Sequence, residues 1–343
     1  MNYTIGIDTS VNLYTFDYIN CFEKPICLIL GNEDDTFQSF LNIYLKMFQS
    51  YNFSSFNDSD IFYTEDFNNA LDYIIREKLG FEIMITESDG NNLHSIIREC
   101  LDKGHPIMVP GNLRELSYTE YYQSRNWKHL FLITGYDDLN QTYTVIDTNH
   151  QKVAANLRYG EFTFSYSLLE RLYLSVKEKL NVSNIWSIYR INGKEYPKEI
   201  DLLSDVFDWF VKWRSDSPYK EIEYINRINR EIETPVIEET DITKQIDFIF
   251  LRAVKYKDVF YRELLCILEK YPVHREQLNK LIELKDCLII KWTDIANKAL
   301  VKHYLKESFA FNEEVEQVLH LEEEIRKVAG KIMDQLKTNY IED

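Results

Sequence analysis

The stretch "NWKHLFLITGYDDLNQTYTVIDTNH", residues 126–150, decides the fold of the N-terminal part of this chain. Within it, "HLFLITGY" alternates, "DDLN" has the composition of a turn, and "QTYTVIDT" is rich in β-branched and aromatic residues. This pattern predicts a half-buried β-hairpin. A turn centred on Asp138 and Leu139 sets His129 opposite Asp147 or the residue after it. Cross-strand neighbours lie close enough for an imidazole–carboxylate hydrogen bond, so we predict that His129 and Asp147 are in contact.

A histidine held by a carboxylate is what a general base needs, and it calls for a nucleophile elsewhere in the chain. The segment "NCFEKPICLIL" predicts a buried helix that begins near Cys21, with Pro25 in its first turn and Gly31 at its end. At a helix start, the free N–H groups and the positive end of the helix dipole lower the pKa of a thiol. Cys21 is therefore the predicted nucleophile. The remaining cysteines are predicted to be core residues, Cys27 within the same helix and three others on amphipathic helices: Cys100, Cys266 and Cys287.

Other kinds of catalytic site lack a motif in this sequence. There is no G-x-S-x-G for a serine nucleophile, no glycine-rich phosphate loop, no H-E-x-x-H and no C-x-x-C, so no metal site is predicted. The five cysteines, odd in number, are expected to be reduced thiols of a cytoplasmic protein. His150 follows Asp147 by three residues and stays open as a lesser alternative to His129 as the base.

Bulk composition excludes several classes of partner. The 343 residues carry a formal net charge of −17, which disfavours nucleic acid and anionic membranes because phosphate binding needs a basic surface. No apolar run reaches the roughly 20 residues that a transmembrane helix needs. The N-terminal "MNYTIGIDTS" also lacks the pattern of a secretory signal. We therefore expect a cytoplasmic protein with no membrane and no nucleic acid among its partners.

The secondary-structure pattern changes near residue 195. Before that point, short strands alternate with helices, which predicts an α+β domain over residues 1–195. After it, strand patterns give way to a helical period, which predicts an all-helical domain over residues 196–343. The helical segments are expected at roughly 199–214, 241–271, 274–306 and 311–338. A polar, proline-punctuated connection is predicted over 214–241.

The order of a cysteine at a helix start, a histidine on a strand and an aspartate on the next strand resembles that of papain-like cysteine peptidases. More specifically, "NCFEKPICLILG", "GHPIMVPG", "HLFLITGYDD" and "YTVIDT" resemble the N-terminal domain of the butirosin-biosynthesis acyltransferase family, over roughly residues 14–190. This resemblance implies a papain-like cysteine protease fold. Carried over to this chain, it makes Cys21 the acylated nucleophile, His129 the base and Asp147 the orienting acid.

The resemblance also implies an activity. Members of that family take an acyl group from the phosphopantetheine thioester of an acyl or peptidyl carrier protein and pass it to an amine, forming an amide in thiotemplated antibiotic biosynthesis. This chain is thus expected to be an amide synthase, with a carrier protein and a small amine acceptor as partners. No cofactor is expected to be bound, because the phosphopantetheine arm comes with the carrier.

One position departs from the papain-like pattern and bears on the chemistry. Papain-like peptidases place a glutamine of the oxyanion hole about six residues before the cysteine, where this chain has Thr15. The backbone N–H of Cys21 remains one donor, and Thr15, Asn20 or another donor is predicted to replace the glutamine amide. A weaker hole suits a thioester, which is already activated, better than a peptide. Four aromatic residues are predicted to line a covered pocket, with ordinary packing as the alternative: Tyr118, Tyr121, Tyr122 and Trp127.

Two other functions stay open at this point. One is a cysteine peptidase of the bacteriocin-leader type, and the other is a non-catalytic, protease-like scaffold that binds a partner. Carrier proteins are usually acidic, so the acyltransferase hypothesis requires a local basic patch on this acidic chain. Its predicted members are Lys24, Arg114, Arg125 and Lys128. Three roles stay open for the helical domain, namely shaping the acceptor pocket, docking the carrier and forming a homodimer.

Overall fold

The computed structural model describes residues 2–9, 21–51, 65–148, 159–212, 250–305, 307 and 311–340. The chain divides into two compact units, of which the first comprises residues 1–38 and 71–196 and the second residues 39–70 and 197–343. The second unit thus includes residues 39–70, which lie within the predicted first domain. The first unit contains an antiparallel sheet with helices and the described residues from 199 onward are helical, which confirms the α+β class.

The described elements are interspersed strands and helices before residue 195 and helices after it. In chain order they are β1 (Asn2–Thr4), α1 (Glu23–Glu33), α2 (Asp35–Tyr51), α3 (Glu65–Tyr73, continued by a π-helical turn, Ile74–Lys78), β2 (Phe81–Glu87), α4 (Leu93–Asp102), β3 (Ile107–Asn112), β4 (Lys128–Asp137), β5 (Thr142–Thr148), β6 (Tyr159–Ser165), α5 (Tyr166–Leu180), β7 (Asn184–Arg190), α6 (Glu199–Lys212), a π-helical turn (Phe250–Tyr256), α7 (Lys257–Leu268), α8 (Arg275–Leu305) and α9 (Asn312–Tyr340).

The described strands form one sheet of seven strands in the first unit. Its order is β2-β7-β3-β4-β5-β6, with β1 also pairing with β4. Every pair is antiparallel. Strand β4 lies in the middle of this order, and all its residues except the two at its ends are buried. The predicted half-buried hairpin is therefore wrong for its first strand, which is covered on both faces.

Helices on both faces account for this burial. The N-terminal end of α1 lies against one face, where Phe22 meets Trp186 of β7 edge to face with ring centroids 5.2 Å apart. On the opposite face, α4 and α5 pack on alternate residues of the sheet, including Val109, Phe131 and Val145. A strand between two apolar layers gains burial from every side chain, so it needs no polar face.

Several predicted elements are confirmed, and others are corrected. Helix α1 is confirmed with Pro25 in its first turn, but it continues past Gly31 to Glu33. Strand β6 and helix α5 were not predicted, although Ser165 caps α5 by accepting a hydrogen bond from the Leu168 N–H (3.1 Å). The helical segments after residue 195 are confirmed where the structure describes them. The predicted connection at 214–241 lies outside the described residues.

The second unit buries polar side chains as well as aromatic ones. One face of α2 contributes Asn42, Lys46, Gln49 and Ser50, all buried. Asn42 donates a hydrogen bond to Oε1 of Glu263 on α7 (3.1 Å). Polar groups removed from water in this way need partners, or else they cost free energy. In Glu263 that requirement is only half met, because its Oε2 has no hydrogen-bond partner.

The buried carboxyl of Glu263 makes the stability of the protein depend on pH. Burial raises the pKa of Glu263 to about 7, against the opposing hydrogen bonds from Ser39 and Asn42. Between the unfolded pKa of 4.5 and the folded value, only the unfolded chain loses this proton, so the free energy of unfolding falls as pH rises. Above the folded pKa the loss in the free energy of unfolding caused by this buried carboxylate is complete, at about 3 kcal/mol. We expect Glu263→Gln to remove it and to raise the urea midpoint at about pH 8.

The comparison variant is Glu283→Gln, which changes an exposed glutamate on α8. It should leave the midpoint within error of the wild type at every pH. At about pH 4 the Glu263→Gln midpoint should also equal the wild-type value, because the carboxyl is then neutral in both states. A Glu263→Gln midpoint at or below the wild type at about pH 8 would contradict a raised pKa at this position.

Candidate active site

The predicted pair of His129 and Asp147 is formed. His129 Nε2 lies 2.8 Å from Asp147 Oδ1, and both side chains are buried, with 6% and 1% of their surfaces exposed. The imidazole also rests edge to face on Phe131, with ring centroids 4.9 Å apart. Gly111 lies opposite His129 on β3, and a Cβ there would come within 2.6 Å of the Phe131 ring. The ring supporting the imidazole therefore depends on a glycine in the neighbouring strand.

The register between β4 and β5 differs from the predicted one. The ladder runs from Asp137↔Thr142 to Gly135↔Thr144, then shifts at a bulge, and resumes at Ile133↔Val145 and Leu132↔Ile146. Continued by one residue, this register sets Asp147 opposite Phe131, so His129 and Asp147 are diagonal neighbours rather than direct ones. The predicted direct pairing is wrong, yet the contact survives because diagonal side chains on one face are within reach.

The bulge decides which face of the sheet Asp147 occupies. Without it, the pairing near the turn would continue as Thr134↔Val145 and Leu132↔Asp147. Because a slip of one residue moves a side chain to the other face, Asp147 would then point away from His129. The extra residue at the bulge, Thr134, shifts the register by one residue, so the side chains of His129 and Asp147 lie on the same face of the sheet.

Cys21 lies in the turn just before α1, two residues ahead of the first helical residue. The residue is partly exposed, and its thiol hydrogen-bonds the His129 ring. Because Nε2 bonds Asp147, this second bond falls to Nδ1. The backbone N–H of Leu130 also donates to the sulfur. The three predicted residues are thus joined in the order Cys21, His129, Asp147.

The electrostatics of this chain favour a charged pair. Burial raises the pKa of the Cys21 thiol, but the hydrogen bond and charge of His129, the Leu130 N–H and the charge of Lys24 outweigh burial, so the pKa lies below its ordinary value. Burial also lowers the pKa of His129, while the charge and hydrogen bond of Asp147, together with Cys21, raise it to about 10. Both shifts favour a thiolate beside an imidazolium at neutral pH. A thiolate of this kind is an activated nucleophile.

Two tyrosines border the pair, and only one of them was predicted. Tyr118 stacks on Phe162 with ring centroids 5.8 Å apart, and the pKa of its phenol is raised by burial and by the charge of Asp147. Tyr159 at the start of β6 is buried, and burial together with the charges of Asp147 and Cys21 raises the pKa of its phenol as well. Sequence reasoning missed Tyr159 because it missed the strand that carries it.

The other predicted pocket residues do not line a covered pocket. Tyr121 and Trp127 stack on one another with centroids 5.2 Å apart, and Trp127 is 46% exposed. Tyr122 is also exposed, at 42%. The predicted covered pocket lined by all four aromatic residues is therefore corrected: Tyr118 and Tyr121 are half-buried, whereas Tyr122 and Trp127 are exposed. The remaining predicted candidates lie outside the described residues: Thr15, Asn20 and His150.

In the part of the chain that the structure describes, no group of three or more His, Cys, Asp or Glu residues is arranged to hold a metal ion. Among the described helices, none is long and apolar enough to cross a membrane. The described side chains of the site supply a sulfur, from Cys21, and an imidazole, from His129, that can give or accept a proton.

Comparison with known proteins adds one match. Residues 22–148 match the family model described as "Butirosin biosynthesis protein H, N-terminal". This segment is similar to that domain. It includes His129 and Asp147, begins one residue after Cys21, and covers less than half of the chain. A search of curated proteins found no match.

Proposed function

We propose that this chain is an amide-forming acyltransferase of natural-product biosynthesis with a papain-like catalytic unit. The observation that carries the proposal is the connected Cys21–His129–Asp147 arrangement, in which a thiol of lowered pKa contacts a buried imidazole. The similarity of residues 22–148 to a domain named for butirosin biosynthesis supports a role in making an antibiotic-type product. The acyl donor in this proposal is the phosphopantetheine thioester of an acyl or peptidyl carrier protein.

In the first step, the Cys21 thiolate attacks the carbonyl carbon of the carrier thioester. A new carbon–sulfur bond forms to Cys21, and the bond to the pantetheine sulfur breaks. The His129 imidazolium gives its proton to the departing pantetheine thiolate, so the carrier leaves as a neutral thiol. The acyl group then rests on Cys21 as a thioester, and His129 is left neutral beside Asp147.

In the second step, an amine attacks the acyl-Cys21 carbonyl. Neutral His129 accepts the proton of the amine, and the Cys21 thiolate leaves, which gives the amide and restores the starting charge pair. Asp147 stabilises the imidazolium whenever it forms. Each turnover therefore moves one proton from the amine to the pantetheine sulfur through a single imidazole, and no other acid or base is required.

A thioester donor suits this arrangement better than a peptide. Amide hydrolysis needs a strong oxyanion hole, and the glutamine that papain-like peptidases use is replaced by Thr15. Losing one such donor costs roughly 10²–10³ in rate. An activated thioester tolerates that loss because its barrier is lower from the start. The peptidase alternative would have to supply the missing donor from another residue.

The test is a product assay. The protein is incubated with an acylated carrier protein and a primary amine, and the amide is detected by mass spectrometry, with peptide substrates run in parallel. Amide formation that needs the carrier thioester supports the proposal. Cleavage of peptides without amide formation would favour the peptidase, and neither product with any donor would favour a non-catalytic scaffold.

A further inference from the structure

A partly exposed group of two aromatic residues and one arginine lies directly before the proposed catalytic histidine in the chain. Tyr121 and Trp127 stack nearly parallel, at 13°, and the Arg125 guanidinium lies over both rings, 4.6 and 4.9 Å from their centroids. We call Tyr121, Arg125 and Trp127 the aromatic–arginine platform. Because an aromatic face attracts a cation without neutralising it, Arg125 keeps its positive charge available at the surface.

The platform is held in a fixed position relative to the site. Asn112, fully buried at the end of β3, accepts a hydrogen bond from the Trp127 N–H (3.0 Å) and donates one to Ser175 of α5 (3.1 Å). The Trp127 carbonyl accepts from the Leu113 N–H (2.9 Å). Trp127 precedes His129 by two residues, about 7 Å along an extended chain. A ligand resting on the platform therefore lies close to the end of β4 that carries His129.

The charge of the aromatic–arginine platform is opposite in sign to the net charge of the chain. The net charge is −17, yet Arg125 is exposed, and among the described residues no carboxylate lies within ion-pair distance of its guanidinium. Nearby Glu115 is already engaged by Ser175 at 3.1 Å and by Arg171 at 3.8 Å. Of the other predicted basic residues, Lys24 is buried, so it cannot present its charge at the surface.

We infer that the aromatic–arginine platform binds the phosphate end of the phosphopantetheine arm, with Arg125 on the phosphate and the exposed Trp127 against the arm. A guanidinium matches phosphate oxygens with two parallel N–H donors, and a flat aromatic surface suits the uncharged pantetheine chain. The inference rests on the proposed function, because it assigns a place to the arm of the proposed donor. It also explains how an acidic chain attracts a substrate attached to an acidic carrier.

The test uses two inert probes that differ only in the phosphate, namely S-methyl-4′-phosphopantetheine and S-methyl-pantetheine. Their dissociation constants are measured by calorimetry with the wild type, Arg125→Gln and Arg190→Gln. The matched control, Arg190, also stacks its guanidinium on a tyrosine, Tyr196, at 3.8 Å. It ends β7, at the opposite end of the sheet from His129.

The expected result is that the phosphorylated probe binds the wild type about tenfold more tightly than the other probe. Arg125→Gln should abolish that difference, and Arg190→Gln should retain it. High ionic strength should reduce the difference in dissociation constant between the two probes, since the contact of Arg125 with phosphate is exposed to solvent. Equal dissociation constants for the two probes, no binding of either, or equal losses in both variants would overturn the inference. The probes carry no acyl group, so this outcome is independent of whether amide is formed.

Discussion

Replacing Cys21 by alanine is expected to abolish amide formation, a loss of at least about 10⁴-fold, because the acyl group then has no nucleophile to receive it. The side chain is small and partly exposed, so folding should be unaffected. The rate of amide product from acylated carrier protein and amine is the measurement. Residual activity within tenfold of the wild type would contradict the proposed acyl-Cys21 route.

The matched control for this change is Cys266→Ala, which removes an exposed cysteine of α7. It should retain the wild-type rate. The same set of proteins tests thiol activation directly. At neutral pH, Cys21 should react with iodoacetamide faster than Cys266 and Cys287, although both of these are more exposed. Equal reactivity of the three thiols would show that Cys21 is not activated.

Removing the carboxylate of Asp147 is the second large effect. We expect Asp147→Ala to lower kcat/KM by about 10³-fold, because His129 loses the charge and hydrogen bond that raise its pKa. Without a stable imidazolium, the pKa of Cys21 rises and the thiolate disappears at neutral pH. Asp147→Asn should be less damaging, because its amide oxygen still accepts the Nε2–H bond of His129. The pH dependence of Cys21 alkylation reports both changes.

For Asp147→Ala and Asp147→Asn, effects on folding must be distinguished from effects on catalysis. Leaving a buried charge without its partner costs about 3–5 kcal/mol, so Asp147→Ala is expected to be less stable, whereas Asp147→Asn keeps the local packing. Asp102→Asn serves as the control, since Asp102, the last residue of α4, also accepts a hydrogen bond (2.6 Å), from the hydroxyl of Tyr136 at the far end of β4 from His129. If folded Asp147→Asn alkylates Cys21 with the wild-type pH profile, the charge of Asp147 has no part in activating the thiol.

Much of this site could be predicted from local sequence. The alternation and turn chemistry of residues 126–150 identify a hairpin, and a cysteine before a proline-containing first turn identifies a helix start. Both are local signals, decided within about ten residues. The hairpin makes the strands that carry His129 and Asp147 adjacent, which local sequence predicts. The bulge at Thr134, which puts both side chains on one face, was not predictable from the hairpin.

The register depends on contacts that the hairpin itself does not contain. At the bulge, Gly135 lies against β1, and a Cβ there would come within 2.6 Å of the Tyr3 carbonyl oxygen. The shift at Thr134 thus occurs where a third strand approaches, and no pattern within the hairpin encodes that approach. The burial of β4 on both faces has the same origin, since α1 and the α4–α5 layer come from distant parts of the chain.

Tyr159, the second tyrosine beside the site, could not be predicted from the sequence for a different reason. It lies on β6, whose "YGEFTFS" alternates but follows a polar stretch without a clear turn, so sequence reasoning passed over it. Strand β6 pairs with β5, and this pairing sets Tyr159 opposite Thr148, one residue along from the pair of Asp147 and Gly160. The exposed stacking of Tyr121, Arg125 and Trp127 likewise depends on how Asn112 fixes the loop, which composition cannot show.

The most direct test of the central claim is intact-mass spectrometry of the protein after brief exposure to an acylated carrier protein without amine. We predict a single acyl adduct that peptide mapping assigns to Cys21 and that is absent from Cys21→Ala. Added amine should discharge this adduct faster than water does, with amide appearing in equal amount. No adduct while amide still forms, or an adduct spread equally over Cys266 and Cys287, would contradict acyl transfer through Cys21.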